Sequence, residues 1–165
     1  MYPGGNIIRI TPTLHAAAST DNDVLFQTTE IPNAVSSRGG VSKLINVSYT
    51  CKQALGLNLD LIIMEVDTDF NNGTLGATLN ISDSDLVACK PLCSLNWGGA
   101  PITLNGNEIN DFTSDSSNND PGQLPVLLKA SEGSTSVYFT AIDRDGGDTF
   151  VDGDLTFTFG IEYLG

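Results

Sequence analysis

Near the C-terminus, apolar and polar residues alternate without a break, and this pattern most narrows the folds open to the chain. Between positions 155 and 163 every second residue is apolar, and threonine, glycine or glutamate stands in between. The apolar residues are Leu155, Phe157, Phe159, Ile161 and Tyr163. A period of two puts them on one face of an extended strand, whereas a helix would distribute them around its axis. The segment therefore predicts a β-strand with one buried face.

The same period recurs elsewhere in the chain. Residues 41–51, 55–63 and 137–142 alternate in a similar way. The predicted face of the first of these segments consists of Val41, Lys43, Ile45, Val47, Tyr49 and Cys51. Shorter apolar runs predict strands at 7–10, 24–28, 74–79, 102–104 and 126–130. About eight or nine short strands at close spacing are typical of an antiparallel β-sandwich, so we predict an all-β, jelly-roll-like fold.

Turn-forming residues separate the predicted strands. The run at 143–148, rich in aspartate and glycine, predicts a hairpin between the last two strands. One short helix is expected at about 84–90, after the capping pair Ser82-Asp83 and before a proline. Residues 105–123 form the longest polar segment and predict a surface loop.

The length of the chain fits a single domain. With 165 residues it can bury a core of its own without help from a metal or a disulfide. The sequence contains no internal repeat, linker or shift in composition. Residues 1–165 are therefore expected to form one β-sandwich domain.

The chain is strongly acidic, with 20 acidic and 7 basic residues and a net charge of −13. Proteins that bind nucleic acid or anionic lipid need clustered basic side chains to neutralise phosphates. Here the lysines and arginines are scattered singly along the sequence. The charge balance therefore argues against nucleic-acid and membrane partners and favours solubility.

The three cysteines are expected to be free thiols. The start of the chain lacks the basic and then apolar pattern of a secretory signal, which favours a reducing cytoplasm. Cys89 and Cys93 are too far from any histidine or further cysteine in sequence to suggest a zinc site. A disulfide between these two stays open, because their spacing neither requires nor forbids it.

No catalytic constellation is evident. The only histidine, His15, lies in a loop-like stretch without a nucleophile-elbow motif, so we interpret it as a surface or packing residue. No two glutamates stand out as the acid and base of a glycosidase. Trp97 is interpreted as a core or interface anchor rather than a sugar platform. We therefore expect no enzyme activity and no cofactor.

Two acidic turns are the strongest candidates for a ligand site, because calcium prefers several oxygen ligands within one flexible turn. The first contains the candidate ligands Asp143, Asp145, Asp148 and Asp154. The second contains Glu65, Asp67, Asp69 and Asn71. Neither matches an EF-hand, because Asp148 and Asn72 stand where that motif needs glycine. Acidic turns are common in acidic proteins, so we expect no bound metal.

Several segments resemble a group of small virion proteins of tailed bacteriophages. Near the start these are Ile8-Arg9-Ile10-Thr11-Pro12-Thr13-Leu14 and Asp23-Val24-Leu25-Phe26. The middle of the chain contributes Gly73-Thr74-Leu75-Gly76 and Ile81-Ser82-Asp83-Ser84-Asp85-Leu86. The end contributes Val126-Leu127-Leu128-Lys129-Ala130, Ser136-Val137-Tyr138, Asp154-Leu155 and residues 157–162. The resemblance covers most of the chain in common strand and turn types, and His15, the cysteines and the turn at 143–148 depart from it.

The resemblance implies a non-enzymatic structural protein of the phage virion, in the first place a capsid decoration (cement) protein. Such a protein would be made in the host cytoplasm, bind the major capsid protein and stabilise the head exterior. A flexible N-terminal arm at 1–8, with Tyr2, Ile7 and Ile8 as interface candidates, would supply part of the contact. The three-fold positions of head surfaces favour a homotrimer.

Two other functions stay open at this point. A phage head-fibre or tail module that binds a host receptor or glycan would have exposed aromatic side chains and a preserved metal loop. An enzyme would need a pair of carboxylates in a cleft.

Overall fold

The computed structural model describes residues 4–71, 76–97, 101–112 and 124–164. Over these ranges the chain forms ten strands and one short helix. The strands are β1 (Gly5–Ile10), β2 (Thr29–Ile31), β3 (Val41–Cys51), β4 (Leu59–Met64), β5 (Pro91–Trp97), β6 (Ile102–Leu104), β7 (Asn107–Phe112), β8 (Val126–Lys129), β9 (Val137–Asp143) and β10 (Leu155–Tyr163), and the helix is α1 (Asp83–Ala88). All strand pairings are antiparallel, which confirms the all-β prediction.

The strands form two sheets. In the first, β1, β10, β3, β7 and β6 lie side by side in that order, and β8 also pairs with β3. The second sheet has the order β2, β9, β4, β5. When β6 and β7 are left out, the other eight strands can be numbered again in chain order. The first sheet then contains the first, eighth, third and sixth strands, and the second sheet contains the second, seventh, fourth and fifth. This alternation between two sheets is a jelly roll, as predicted.

The main core between the sheets is rich in phenylalanine. Phe26, Phe139, Phe157 and Phe159 pack with ring centroids 4.9 to 5.6 Å apart in edge-on or tilted pairs. Such pairs add roughly 0.5–1.5 kcal/mol each beyond the burial of their surface. The predicted face of β10 lies in this core from Leu155 to Ile161, so the alternation identified that face correctly.

A β-bulge in β3 changes which of its residues face the core. Gly160 and Ile161 of β10 pair with Asn46 and Leu44, so Ile45 is an extra residue between them. The buried residues of β3 are Ser42, Leu44, Val47, Tyr49 and Cys51. The predicted core face is correct after the bulge and wrong before it, because one extra residue moves the alternation to the other side of the sheet.

The acidic turn at 143–148 does not close a hairpin. β9 pairs with β2 and β4, whereas β10 pairs with β1 and β3 in the other sheet. The connection between them therefore crosses from one sheet to the other. The hairpin prediction was wrong because turn chemistry indicates a chain reversal but not the sheet that the next strand joins.

The outer face of the four-stranded sheet is covered by the chain itself. The connection between β4 and β5, at residues 65–90, contains α1 and packs against this face. Its Phe70 and Cys89 are buried with Val24 and Met64 in a second, smaller core. The amide of Asn80 donates to the carbonyl of Phe70 at 2.9 Å and fixes the covering segment.

The helix α1 begins close to the predicted position. Its N-cap is Ser82, whose hydroxyl accepts a hydrogen bond from the Asp85 amide at 3.1 Å. The helix ends at Ala88, one turn or less before the predicted end. Within the described ranges, no helix is both long and apolar enough to span a membrane.

The predicted N-terminal arm at 1–8 is in part a strand. Residues 5–8 belong to β1, which pairs with β10 along its whole length. Ile8 is buried in the main core, because it follows the exposed Ile7 in the alternation of the strand. Tyr2 lies outside the described residues.

The polar stretch at 105–123 is not a single loop. Residues 107–112 form β7, which joins β6 through the turn Asn105-Gly106, where both residues have positive φ (49° and 85°). Two-residue turns of this composition are the preferred hairpin connections. The remainder, 113–123, lies outside the described residues, as do 74 and 75 of the strand predicted at 74–79. The strand predicted at 24–28 is reduced to a single bridge, from Val24 to Ile142.

Candidate functional site

The acidic turn after β9 brings three of the four calcium candidates together. Carboxylate oxygens of Asp143, Asp145 and Asp148 all lie within 4.8 Å of one another. Asp154 is engaged elsewhere, since its Oδ2 accepts hydrogen bonds from Gln53 Nε2 at 2.5 Å and from the Val151 amide at 2.8 Å. The sequence therefore identified the cluster but assigned one residue too many to it.

Asp143 holds the turn and the neighbouring loop in place. Its Oδ2 accepts a 2.5 Å hydrogen bond from the hydroxyl of Ser19, and its Oδ1 accepts from the amides of Asp145 and Gly146 at 3.3 and 3.2 Å. The Ser19 amide in turn donates to the carbonyl of Asp148 at 2.7 Å. Both oxygens of this fully buried carboxylate already have protein donors, so Asp143 has a structural role.

Asp148 differs from Asp143 in how its charge is compensated. Within the described chain, its Oδ2 atom is buried and accepts no hydrogen bond. Burial, followed by the charges of Asp143, Asp145 and Glu108, raises the pKa of Asp148 to about 6. Burial and the hydrogen bond and charge of Asp143 also raise the pKa of Asp145. The cluster therefore takes up a proton at higher pH than separate aspartates would.

In the second acidic run, Glu65 is held by lysines instead. Glu65 lies 3.1 Å from Lys90 Nζ and 3.7 Å from Lys129 Nζ, and the hydroxyl of Ser131 donates to it at 3.0 Å. Burial would raise the pKa of Glu65, but these hydrogen bonds and positive charges outweigh it and lower the pKa. Glu65 is thus an ion-pair partner that joins the covering segment to the end of β8.

His15 and the cysteines, the residue types that could act as base and nucleophile, are engaged in packing. The ring of His15 lies against Gly76, where an added Cβ would come within 2.3 Å of Nδ1. All three cysteines are free, so the disulfide left open between Cys89 and Cys93 is not formed. Burial raises the pKa of the Cys51 thiol to about 11 and of the Cys93 thiol to about 12, which keeps them protonated at neutral pH.

One of the three interface candidates, Ile7, points to the outer face of the six-stranded sheet, which we call the exposed face. Ile7 is 62% exposed there, next to Ile45 of the bulge, which is 51% exposed. Between them Gly160 leaves a hollow in a groove of about 510 Å³. Leu127 of β8 and Ile102, Leu104 and Ile109 of the β6–β7 hairpin are also exposed on these strands. Ile8, in contrast, points into the core.

The exposed face is poor in acidic residues. Cross-strand partners share a face, so the registers place two bases, Arg9 and Lys43, and two acids, Asp111 and Glu162, on it. Lys129 lies at its edge, where its ammonium is 3.7 Å from Glu65 of the covering segment. In a chain with a net charge of −13, this face is close to neutral.

Sequence comparison adds no relative to these observations: no protein-family model matches the chain, and no curated protein sequence matches it. The function has to be inferred from the fold, the turn and the exposed face. Sequence reasoning had found Ile7 and the acidic turn but missed Ile45, Gly160 and Leu127, because their meeting depends on the bulge and on strand register. It also missed Ser19, which is 124 positions from its partner Asp143.

Proposed function

We propose that the protein is a non-enzymatic structural protein of a tailed-phage virion, a decoration or cement protein that binds the major capsid protein on the head exterior. The observation that carries this proposal is the exposed face: a broad, nearly neutral sheet surface on an otherwise acidic jelly roll, with Ile7, Ile45 and Leu127 exposed among polar residues, which marks a protein that assembles with others. Large exposed apolar patches are typical of surfaces that other proteins cover.

The fold supports an assembly role in a second way. Jelly rolls recur in viral capsid proteins because two packed sheets form a stiff unit whose edges and faces are free for contacts. The acidic remainder of the surface would keep the protein away from nucleic acid and from other polyanions. The resemblance to small phage virion proteins indicates that this assembly would take place on the phage virion.

The acidic turn and the cysteines fit this role without chemistry of their own. Asp143 fixes the loop beside β9, and the buried thiols are held in their protonated form by a raised pKa. These groups contribute to a rigid scaffold, which is what a protein that bridges capsid subunits needs.

Immunogold labelling of purified virions tests the proposal directly. We expect label over the head and binding of the purified protein to heads that lack it, measured by co-sedimentation. Heads that already carry the protein are the matched control and should bind little more. Label confined to the tail would favour a fibre or receptor-binding module, and virions without label would contradict the virion assignment.

A further inference from the structure

Rows of cross-strand neighbours cross the exposed face, and the two ends of one row carry opposite charges. In the first row, Arg9 of β1 is followed by Thr158 of β10, Ser48 of β3 and Asp111 of β7. The row therefore has a base on one side of the sheet and an acid on the other, with the boundary between β10 and β3 in the middle. Consider a second copy placed face to face with the first and related to it by a 180° rotation about an axis along that boundary. Its Arg9 would then lie opposite Asp111 of the first copy.

The same rotation matches charges at the centre of the face. Lys43 of β3 and Glu162 of β10 are cross-strand neighbours, with Nζ and Oε2 3.7 Å apart. The rotation exchanges β3 and β10, so each lysine would face the glutamate of the other copy. Opposite charges that exchange in this way are self-complementary under two-fold symmetry.

The rotation also sets large side chains against small ones. Asn46 pairs with Gly160, so the rotation would place Asn46 over Gly160 of the other copy and the bulge residue Ile45 next to it, at the groove described above. Leu127 on β8 is in the row of Lys43, Glu162 and Gly5, so it would lie over Gly5. Apolar contacts of this kind exclude water and keep packing dense.

The area of the face suits such a contact. β10 has nine residues, which at about 3.4 Å per residue gives a length of about 30 Å. With the axis between β10 and β3, four strand positions of each copy overlap, which at about 4.8 Å per strand gives a width of about 19 Å and a flat area of about 600 Å². Standard protein–protein interfaces bury from about 600 to 1,000 Å² on each partner.

We propose that the exposed face is covered by the same face of a second copy of this chain, related by a two-fold axis that runs along the boundary between β10 and β3. Two copies with a charge of −13 repel each other over most of their surfaces, whereas on this face the bases Arg9 and Lys43 balance the acids Asp111 and Glu162. The pair differs from the homotrimer expected from the sequence, which depended on the symmetry of phage heads. This pairing does not depend on whether the protein binds heads, and a capsid contact would use a surface other than the exposed face.

A charge-swap experiment tests the position of the proposed two-fold axis. Arg9→Glu puts two acids opposite each other at both ends of the interface and should weaken association about ten-fold or more by analytical ultracentrifugation. Adding Asp111→Arg restores opposite charges between copies, so the double variant should recover most of the association. Arg38→Glu, which changes the net charge by the same amount at an exposed base away from the face, is the matched control and should have a much smaller effect.

Light scattering measures the number of copies. We expect a mass of about twice the 17.4 kDa of the chain, and a monomer for Ile45→Glu, whereas Val87→Glu on the exposed surface of α1 should stay paired. Circular dichroism of each variant verifies that the fold is intact. A wild-type monomer, a three-chain particle, a paired Ile45→Glu variant or a failed rescue in the swap would overturn the proposed pairing, even if the protein binds heads.

Discussion

The outer face of the four-stranded sheet is covered by the β4–β5 connection of the same chain, whereas the outer face of the six-stranded sheet carries exposed isoleucines and leucine. On the first face, Phe70 and Cys89 complete a small core with Met64. On the second, Ile7, Ile45 and Leu127 are each more than half exposed. The fold therefore covers one face by itself and leaves large apolar side chains of the other exposed.

The charges follow the same division. The covered side of the sandwich contains the acidic turn, where Asp143 and Ser19 tie the loop at 18–23 to β9. Asp143 is buried there and held by hydrogen bonds within the chain, whereas Asp148 is half-buried and Asp145 is exposed. The exposed face has charged groups arranged across rows, at positions where another molecule can pair with them. One side is therefore organised for stability and the other for contact.

The largest expected effect comes from removing the cover. Phe70→Ala should lower the free energy of unfolding by about 3–5 kcal/mol, because a fully buried ring leaves a cavity between the covering segment and β4. Leu127→Ala on the exposed face should change it by about 0.5 kcal/mol or less in the monomer. Urea denaturation at low protein concentration measures both free energies of unfolding. Equal losses in the two variants would contradict the proposed contrast between the covered and the exposed face.

A smaller effect is expected at the acidic turn. The pKa of Asp148 in the folded state, about 6, lies above the ordinary aspartate value of 3.8, so the folded protein holds this proton more tightly than the unfolded chain does. The stability that this group contributes is fully present below about pH 3.8 and is lost progressively as pH rises to about 6. Asp148→Asn, which is neutral throughout, should raise the melting temperature by a few degrees at pH 7.5 and by less at pH 5.

Asp21→Asn is the control for this pH effect, because Asp21 is an exposed acid in the loop beside the turn. It should leave the melting temperature nearly unchanged at both pH values. A melting temperature that falls in Asp148→Asn at pH 7.5 would mean that the ionised carboxylate stabilises the turn, and that the covered side is not organised as described.

Much of the fold could be predicted from local patterns. The faces of β10 and β4 follow from alternation alone, since both strands keep a regular period. The start of α1 follows from the capping chemistry of Ser82. The acidic turn was found because its three aspartates are close in sequence. In each case, the interactions that determine the structure are between near neighbours in the chain.

The features that could not be predicted depend on register and pairing between distant strands. The bulge at Ile45 is visible only against β10, where Gly160 and Ile161 pair on either side of it. The crossing from β9 to β10 depends on which sheet each strand joins. The rows of the exposed face require all these registers at once, and so Arg9 and Asp111 gave no signal in the sequence.

Side-chain footprinting of the concentrated and the diluted protein tests directly whether a second copy covers the exposed face. The exposed face should lose labelling at Ile7, Ile45 and Leu127 as copies associate, because they become buried against another copy. Leu86 and Val87 on α1, which are also exposed, should keep their labelling. The opposite result, constant labelling on the sheet together with loss on α1, would contradict the account of an exposed face completed by a partner.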